Sequence, residues 1–200
     1  MSVPSDVVAT VAQNVRRLRT ARGWSLDAFA ARSGVSKGML VQLEAARTNP
    51  SLGTLCRVSE ALSVTVAALI ETADAPPVQV VPADGGVTLW TGAGGGTGRL
   101  LVGSDEREHV ELWRWEMAPG DTHASEEGHV EGTLEMVHVL DGTLTLCVDG
   151  VDHLVGPGCA ASYRADRSHV YRNDGREICR FVMVLLQTDA DLQAWASSGP

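Results

Sequence analysis

The sequence contains no long uninterrupted apolar run, no apolar leader and no two cysteines at C-x-x-C spacing. The first absence excludes a membrane-spanning helix, the second points away from export, and the third leaves Cys56, Cys147, Cys159 and Cys179 without a paired-thiol motif. The chain is therefore expected to be cytoplasmic, its reduced thiols serving as small buried hydrophobes, with a thiol redox sensor as the alternative. Lysine is almost missing: Lys37 stands alone among 16 basic residues, which we ascribe to genomic base composition. Basic charge is also outweighed in the second part of the chain. Met1 to Ala75 carry 8 basic and 6 acidic residues, net +2, whereas Pro76 to Pro200 carry 8 and 19, net −11; together they give the −9 of the whole chain. An acidic surface repels a phosphate backbone, so a nucleic-acid contact belongs to the first part.

Within that part, Ser25 to Pro50 reads SLDAFAARSGVSKGMLVQLEAARTNP. Two short apolar-periodic runs, Leu26-Phe29-Ala30 and Leu40-Leu43, flank Gly34, and Ser25 and Ser36 are placed to accept the first free N–H groups of two helices. Gly34 supplies the positive φ that ends the first helix, and Ala30 is small where two helix backbones must approach. The pattern predicts helix, tight turn, helix. In a helix-turn-helix the N-terminal residues of the second helix face base edges in the major groove, which here places Ser36, Lys37, Gly38, Val41 and Gln42 there. Arg16, Arg17, Arg19 and Arg22 crowd the preceding helix and Arg47 and Asn49 follow the pair; Arg17 and Arg47 are expected to contact DNA without regard to sequence, and Ser25 and Asn49 are further candidate DNA-binding residues. Glu44 is assigned instead to an ion pair with a helix-one arginine. Around the pair, the periodicity predicts helices over Val7–Arg22, from Pro50-Ser51 through Leu62, and over Val64–Ile70.

From about Val7 to Glu71, through VRRLRTARGWSLDAFAARSGVSKGMLVQLEAARTNPSLGTL, the chain resembles the Xre-type, lambda-repressor-like regulators. It departs at Leu26, where that family often carries Gln, and at Ala46, where Gly is usual. The resemblance implies a five-helix bundle that binds double-stranded operator DNA.

Ala73 to Pro82 contains three prolines and reads as a linker. The glycine-rich TGAGGGTG at Thr91 to Gly98 lacks the Gly-Lys-Ser/Thr ending of a phosphate loop and is read as a flexible surface loop. From Val110 onward the period becomes two, as in Val110-Leu112 against Trp113-Trp115, Met136–Thr145 and Ile178–Leu186, with Asp141-Gly142 and Asp149-Gly150 as hairpin turns. Such strands predict a barrel or sandwich. Asp189 to Ser197 offers a short closing helix.

Inside the β region lie His129, Glu131, Glu135, Gly142, Pro157, Gly158, His169 and Asn173. Alternation puts Glu135 on the inward face with Val137 and Val139, and His138 outward. Two imidazoles and a carboxylate suit Fe(II), Zn(II) or Mn(II), and His129 and His169 reach Glu135 if the fold brings them there. Over about Glu108 to Thr188 the chain resembles the cupin family, whose first motif is matched at His129, Glu135 and Gly142 and whose second is matched by Pro157, Gly158, His169 and Asn173, with a longer gap before His169. The motif's second His is replaced by Glu131. The resemblance implies a divalent metal on His129, Glu135 and His169, Glu131 as a candidate fourth ligand, and a pocket including His123, Met136, Tyr163 and Tyr171; Trp113, Trp115 and Phe181 are further candidates, or ordinary core.

The expected architecture is thus multidomain α + β: a five-helix DNA-binding bundle over 1–72, a linker over 73–82, and an all-β cupin barrel, a double-stranded β-helix or jelly roll, over 83–200. It resembles bacterial regulators, in which the barrel senses a small-molecule effector and a homodimer reads an operator, with no catalytic residue assigned. The alternatives are a barrel that only dimerises, or a mononuclear iron enzyme resembling the hydroxypropylphosphonate epoxidases.

Overall fold

The computed structural model describes residues 5–71, 78–104 and 108–188. The first stretch forms α1 (Ser5–Ala21), α2 (Leu26–Ser33), α3 (Lys37–Glu44), α4 (Leu52–Leu62) and α5 (Val66–Ile70). Four of these starts are fixed by side-chain caps: Ser25, Ser36, Ser51 and Thr65 accept the backbone N–H of Ala28, Met39, Thr54 and Ala68. Gly34 ends α2 at φ 63°, as its position predicts. The helices close over Val11, Val15, Phe29, Leu40, Leu43, Leu55, Val58, Leu62 and Leu69, all buried. Truncating one of the leucines to Ala removes about 2–5 kcal/mol.

Ten strands follow: β1 (Val87–Thr91), β2 (Thr97–Ser104), β3 (Glu108–Met117), β4 (Thr122–Ser125), β5 (Leu134–Asp141), β6 (Leu144–Val148), β7 (Val151–Val155), β8 (Ala160–Arg164), β9 (His169–Arg172) and β10 (Cys179–Thr188). They form a six-stranded sheet, β1-β2-β3-β10-β5-β8, and a four-stranded sheet, β4-β9-β6-β7, with every pairing antiparallel. Alternation sends His109, Glu111, Trp113, Trp115 and Met117 of β3 inward, and Glu135, Val137 and Val139 of β5 with them. Trp115, Tyr171 and Phe181 fill the interior, the Trp115 and Phe181 rings stacked at 5.9 Å.

Three expectations change. Asp149-Gly150 joins β6 to β7 as a hairpin, both residues at positive φ, but Asp141-Gly142 connects β5 and β6, which lie in different sheets. Gly142 has φ 70°, and a Cβ there would sit 2.7 Å from the Ile178 carbonyl, so this glycine serves a crossing held tight against the backbone entering β10. The glycine-rich segment is a β1–β2 turn tied down by the buried Asp121 carboxylate, which accepts from Gly94 N at 2.6 Å, Gly96 N at 2.9 Å and Ala118 N at 2.9 Å. Of the thiols, Cys179 is buried but Cys159 is exposed. The linker's residues 73–77 and the expected helix at Asp189–Ser197 lie outside the described residues; Val78 to Pro82 has neither helix nor strand.

Bundle and barrel touch directly. Glu111 of β3 accepts the first N–H groups of α5, Val66 N at 2.6 Å and Ala67 N at 3.3 Å, and the Trp113 indole N–H at 2.8 Å. On β2, Gly103 lies against Ala67 so closely that a Cβ would meet the alanine's at 2.3 Å. Burial raises the Glu111 carboxyl above its ordinary range, a shift that the Trp113 indole and the α5 amides offset in part.

Candidate functional site

On the bundle, Ser36, Lys37, Gly38, Val41 and Gln42 are exposed along the start and outer face of α3, and Arg17, Ser25, Arg47 and Asn49 are exposed beside it. Lys37 pairs with Asp27 at 2.9 Å, both side chains more than half exposed, a contact weak enough to give way to a base or phosphate. Met39 and Val41 expose 38% and 43% of their surface, an apolar pair on α3 of the kind that suits thymine methyl groups. Met39 was not anticipated, because its i, i+4 spacing to the buried Leu43 marks it as core. Two of the arginines in and just after α1 are structural. Arg19 forks onto Glu44 at 2.6 and 2.9 Å and donates to the Trp24 carbonyl, the ion pair expected for Glu44. Arg22 donates to the Leu18 and Leu62 carbonyls. Ala46 sits at φ 53°, which accounts for glycine being usual at that position.

The second site is assembled by loops. His129 lies between β4 and β5 on a segment clamped to residues 165–167: His129 N donates to the Ala165 carbonyl, Ala165 N to the Thr133 carbonyl and Gly132 N to Asp166. At Gly128, φ 71°, a Cβ would stand 2.6 Å from Arg167 N. The clamp delivers His129 beside His169, the first residue of β9, with ring centroids 5.4 Å apart. Glu135 reaches them from β5: its Oε1 is 3.2 Å from His129 Nε2 and 3.8 Å from His169 Nε2. Its Oε2 accepts from the hydroxyls of Tyr163 and Tyr171, which are 2.7 Å apart.

Both imidazoles have the Nδ1 side engaged, His129 with Glu60 Oε1 of α4 at 3.1 Å and His169 with the Arg167 carbonyl at 2.9 Å. An acceptor at Nδ1 holds the proton there and leaves Nε2 as a lone-pair donor, the arrangement that metal-binding histidines require. One ligand atom from each of His129, Glu135 and His169 lies within 4.8 Å of the others, so the donor set fits a divalent ion of the Fe(II), Zn(II) or Mn(II) kind. Without metal, burial opposes charge on His129, but hydrogen bonds and the charges of Glu135 and Glu60 outweigh it and raise the imidazole to about 10. Burial likewise opposes charge on Glu135, yet His129, His169 and Tyr163 bring it down to about 2. His169 is lowered, chiefly by burial.

A cavity of about 290 Å³ opens onto this cluster. The barrel contributes Trp113, Trp115, His123, Tyr171, Met183 and Leu185; the bundle contributes Leu52, Gly53, Cys56, Arg57 and Glu60, all from α4. His123 is lodged among aromatic rings, 4.9 Å from Trp115, and burial lowers it to about 4, so it lines the cavity as a neutral ring. Tyr171 lines it too, and Tyr163 supports it through Glu135. Two expectations fail. Met136 points outward from β5, 40% exposed, because it is out of phase with Glu135. Glu131 is exposed on the loop and does not join the ligand cluster, so the cupin motif's second His has no replacement ligand there. Glu60 and Glu111 were not anticipated; alternation with Trp113 and Trp115 was the available sign for Glu111, and nothing local marks Glu60.

A helix-turn-helix bundle seated on a cupin barrel, with a cavity walled by both, defines a class of DNA-binding transcriptional regulator. Residues 15–69 match the helix-turn-helix family model and residues 113–185 the cupin domain model. Over 167 residues the chain is 32% identical to the HTH-type transcriptional regulator SutR of Escherichia coli (strain K12), spanning 84% of this chain and 89% of SutR, and it belongs to this family of Xre-type regulators carrying a cupin domain. It is also 36% identical over 72 residues, 36% of this chain and 94% of its relative, to the uncharacterized HTH-type transcriptional regulator y4dJ of Sinorhizobium fredii. An HTH_3 family transcriptional regulator from Vibrio cholerae shares the fold, with a TM-score of 0.72 at 24% identity over 90% of this chain and 97% of that one.

Proposed function

We propose that the chain is a cytoplasmic, homodimeric regulator whose barrel binds a small-molecule effector beside a divalent metal, and that occupancy of this site modulates operator binding. In this reading residues 1–72 are the DNA reader, 73–82 the linker and 83–200 the sensor. His129, Glu135 and His169 hold the metal; His123 and Tyr171 face the effector. Ser36, Lys37, Gly38, Val41 and Gln42 read bases, while Arg17, Ser25, Arg47 and Asn49 position the backbone. The observation that carries the proposal is the shared cavity: α4 belongs to the DNA-binding bundle yet forms one wall of the barrel's pocket. A ligand there touches both parts at once, the differential contact that linkage requires. The buried Trp115 indole nitrogen has no hydrogen-bond partner among the described residues and belongs to a side chain lining the cavity, which favours an effector bearing an acceptor. Two copies are expected because one small bundle makes too few contacts for operator affinity, and half-sites then lie about one DNA turn, roughly 34 Å, apart.

Elemental analysis of gently purified protein, combined with a mobility-shift assay on a fragment of its own promoter, tests this reading. Stoichiometric metal and a specific shift support it. A protein that binds promoter and random DNA alike, or that carries iron and turns over a substrate without binding DNA, overturns it in favour of an unspecific binder or an iron enzyme.

A further inference from the structure

We propose that Glu60 is the outer-sphere carboxylate of the barrel's metal centre, so that the DNA-binding bundle itself supplies part of the site and metal occupancy fixes the seat of α4 on the barrel. The inference rests on the metal reading given above. His129 presents Nε2 to Glu135 and donates from Nδ1 to Glu60 Oε1 at 3.1 Å. His169 meets the same need within the barrel, through the Arg167 carbonyl. The two ligands thus differ: one is oriented by its own domain, the other by a helix 69 residues earlier in the chain. Glu60 is well shielded, 16% of its side chain exposed, and Cys56, one turn before it on α4, also faces the cavity. Further along the bundle, Val66 and Ala67 are held by Glu111, so α4 and α5 are each anchored on the barrel.

Outer-sphere partners of metal-bound histidine fix its ring and strengthen its lone pair, and their loss weakens metal binding about 10- to 100-fold. By reciprocity, what Glu60 adds to metal affinity the metal adds to the α4 contact. Glu60 is a positioning residue in this scheme and does not touch the ion.

The test uses the full chain and Co(II) as the probe, with titration calorimetry for affinity and amide hydrogen exchange over α4 (Leu52–Leu62) for docking. Wild type is expected to bind one Co(II) per chain and to slow exchange in α4 on binding. Glu60→Gln should bind Co(II) about 10- to 100-fold more weakly and lose most of that protection, whereas Glu177→Gln, which removes an exposed carboxylate elsewhere, should match wild type. Equal Co(II) affinity in Glu60→Gln and wild type overturns the role of Glu60 and leaves the metal reading standing. So does unchanged α4 exchange in wild type on Co(II) binding, a measurement that needs no variant to fold. Failure of wild type to bind Co(II) at all overturns the metal reading and this inference with it.

Discussion

Replacing Glu111 tests whether the bundle is held to the barrel by the contact between β3 and α5. Its carboxyl is 3% exposed and satisfies three buried donors, Val66 N and Ala67 N on Oε1 and Trp113 Nε1 on Oε2. Glu111→Gln keeps one acceptor oxygen for the α5 amides but turns an NH2 toward the indole N–H, leaving a donor unpaired, for about 1–3 kcal/mol. Glu111→Ala leaves all three donors unpaired and opens a void, for about 3–5 kcal/mol, a large share of the roughly 5–15 kcal/mol that holds a domain together. Urea denaturation followed by tryptophan fluorescence and by far-UV circular dichroism measures both, and the two signals should separate in the Ala variant as the bundle loosens before the barrel. A loss below about 1 kcal/mol in Glu111→Ala, with the two probes still coincident, refutes the reasoning.

Three other outcomes follow from the same geometry. Gln42→Ala should cost about 1–3 kcal/mol on operator DNA and little on random DNA, whereas Arg17→Ala should weaken both alike and lower the salt slope by about one; titrations at several salt concentrations separate them. Ala46→Gly should stabilise the bundle by up to about 1 kcal/mol, because Ala46 holds φ 53°, and a lower melting temperature contradicts this. For the metal-free protein, His129 is raised from 6.5 to about 10, so its stabilisation is complete below pH 6.5 and lost as pH rises through 10. Glu135 is lowered from 4.5 to about 2, so its stabilisation is complete above pH 4.5 and lost as pH falls through 2. His129→Gln should therefore flatten the decline in melting temperature between pH 6.5 and 10, and an unaltered slope counts against the buried pair.

Local signals were readable in the sequence and contacts between distant segments were not. Ser25, Gly34 and Ser36 act through backbone groups within three residues, so their roles follow from spacing, and period two correctly sends Glu135 inward and His138 outward. The same alternation excludes Met136 from the pocket and marks Glu111 as buried beside Trp113. Asp141-Gly142 has the chemistry of a hairpin, yet which sheet the next strand joins depends on β9 and β10, far along the chain. Arg19 and Arg22 look like DNA contacts by charge alone; Glu44 and the Leu62 carbonyl, 25 and 40 residues away, make them structural. Glu60 is the extreme case, an ordinary helical glutamate until His129 is brought beside it.

If the barrel's site governs the bundle's hold on DNA, filling that site must change operator affinity. The direct measurement is the affinity of the full chain for an operator selected in vitro, by fluorescence anisotropy at one fixed salt concentration, metal-free and with one Co(II) bound per chain. Operator affinity should change about 5- to 150-fold on Co(II) binding, in either direction, and the change should disappear in Glu135→Gln. Equal affinities with and without bound Co(II) would contradict that dependence.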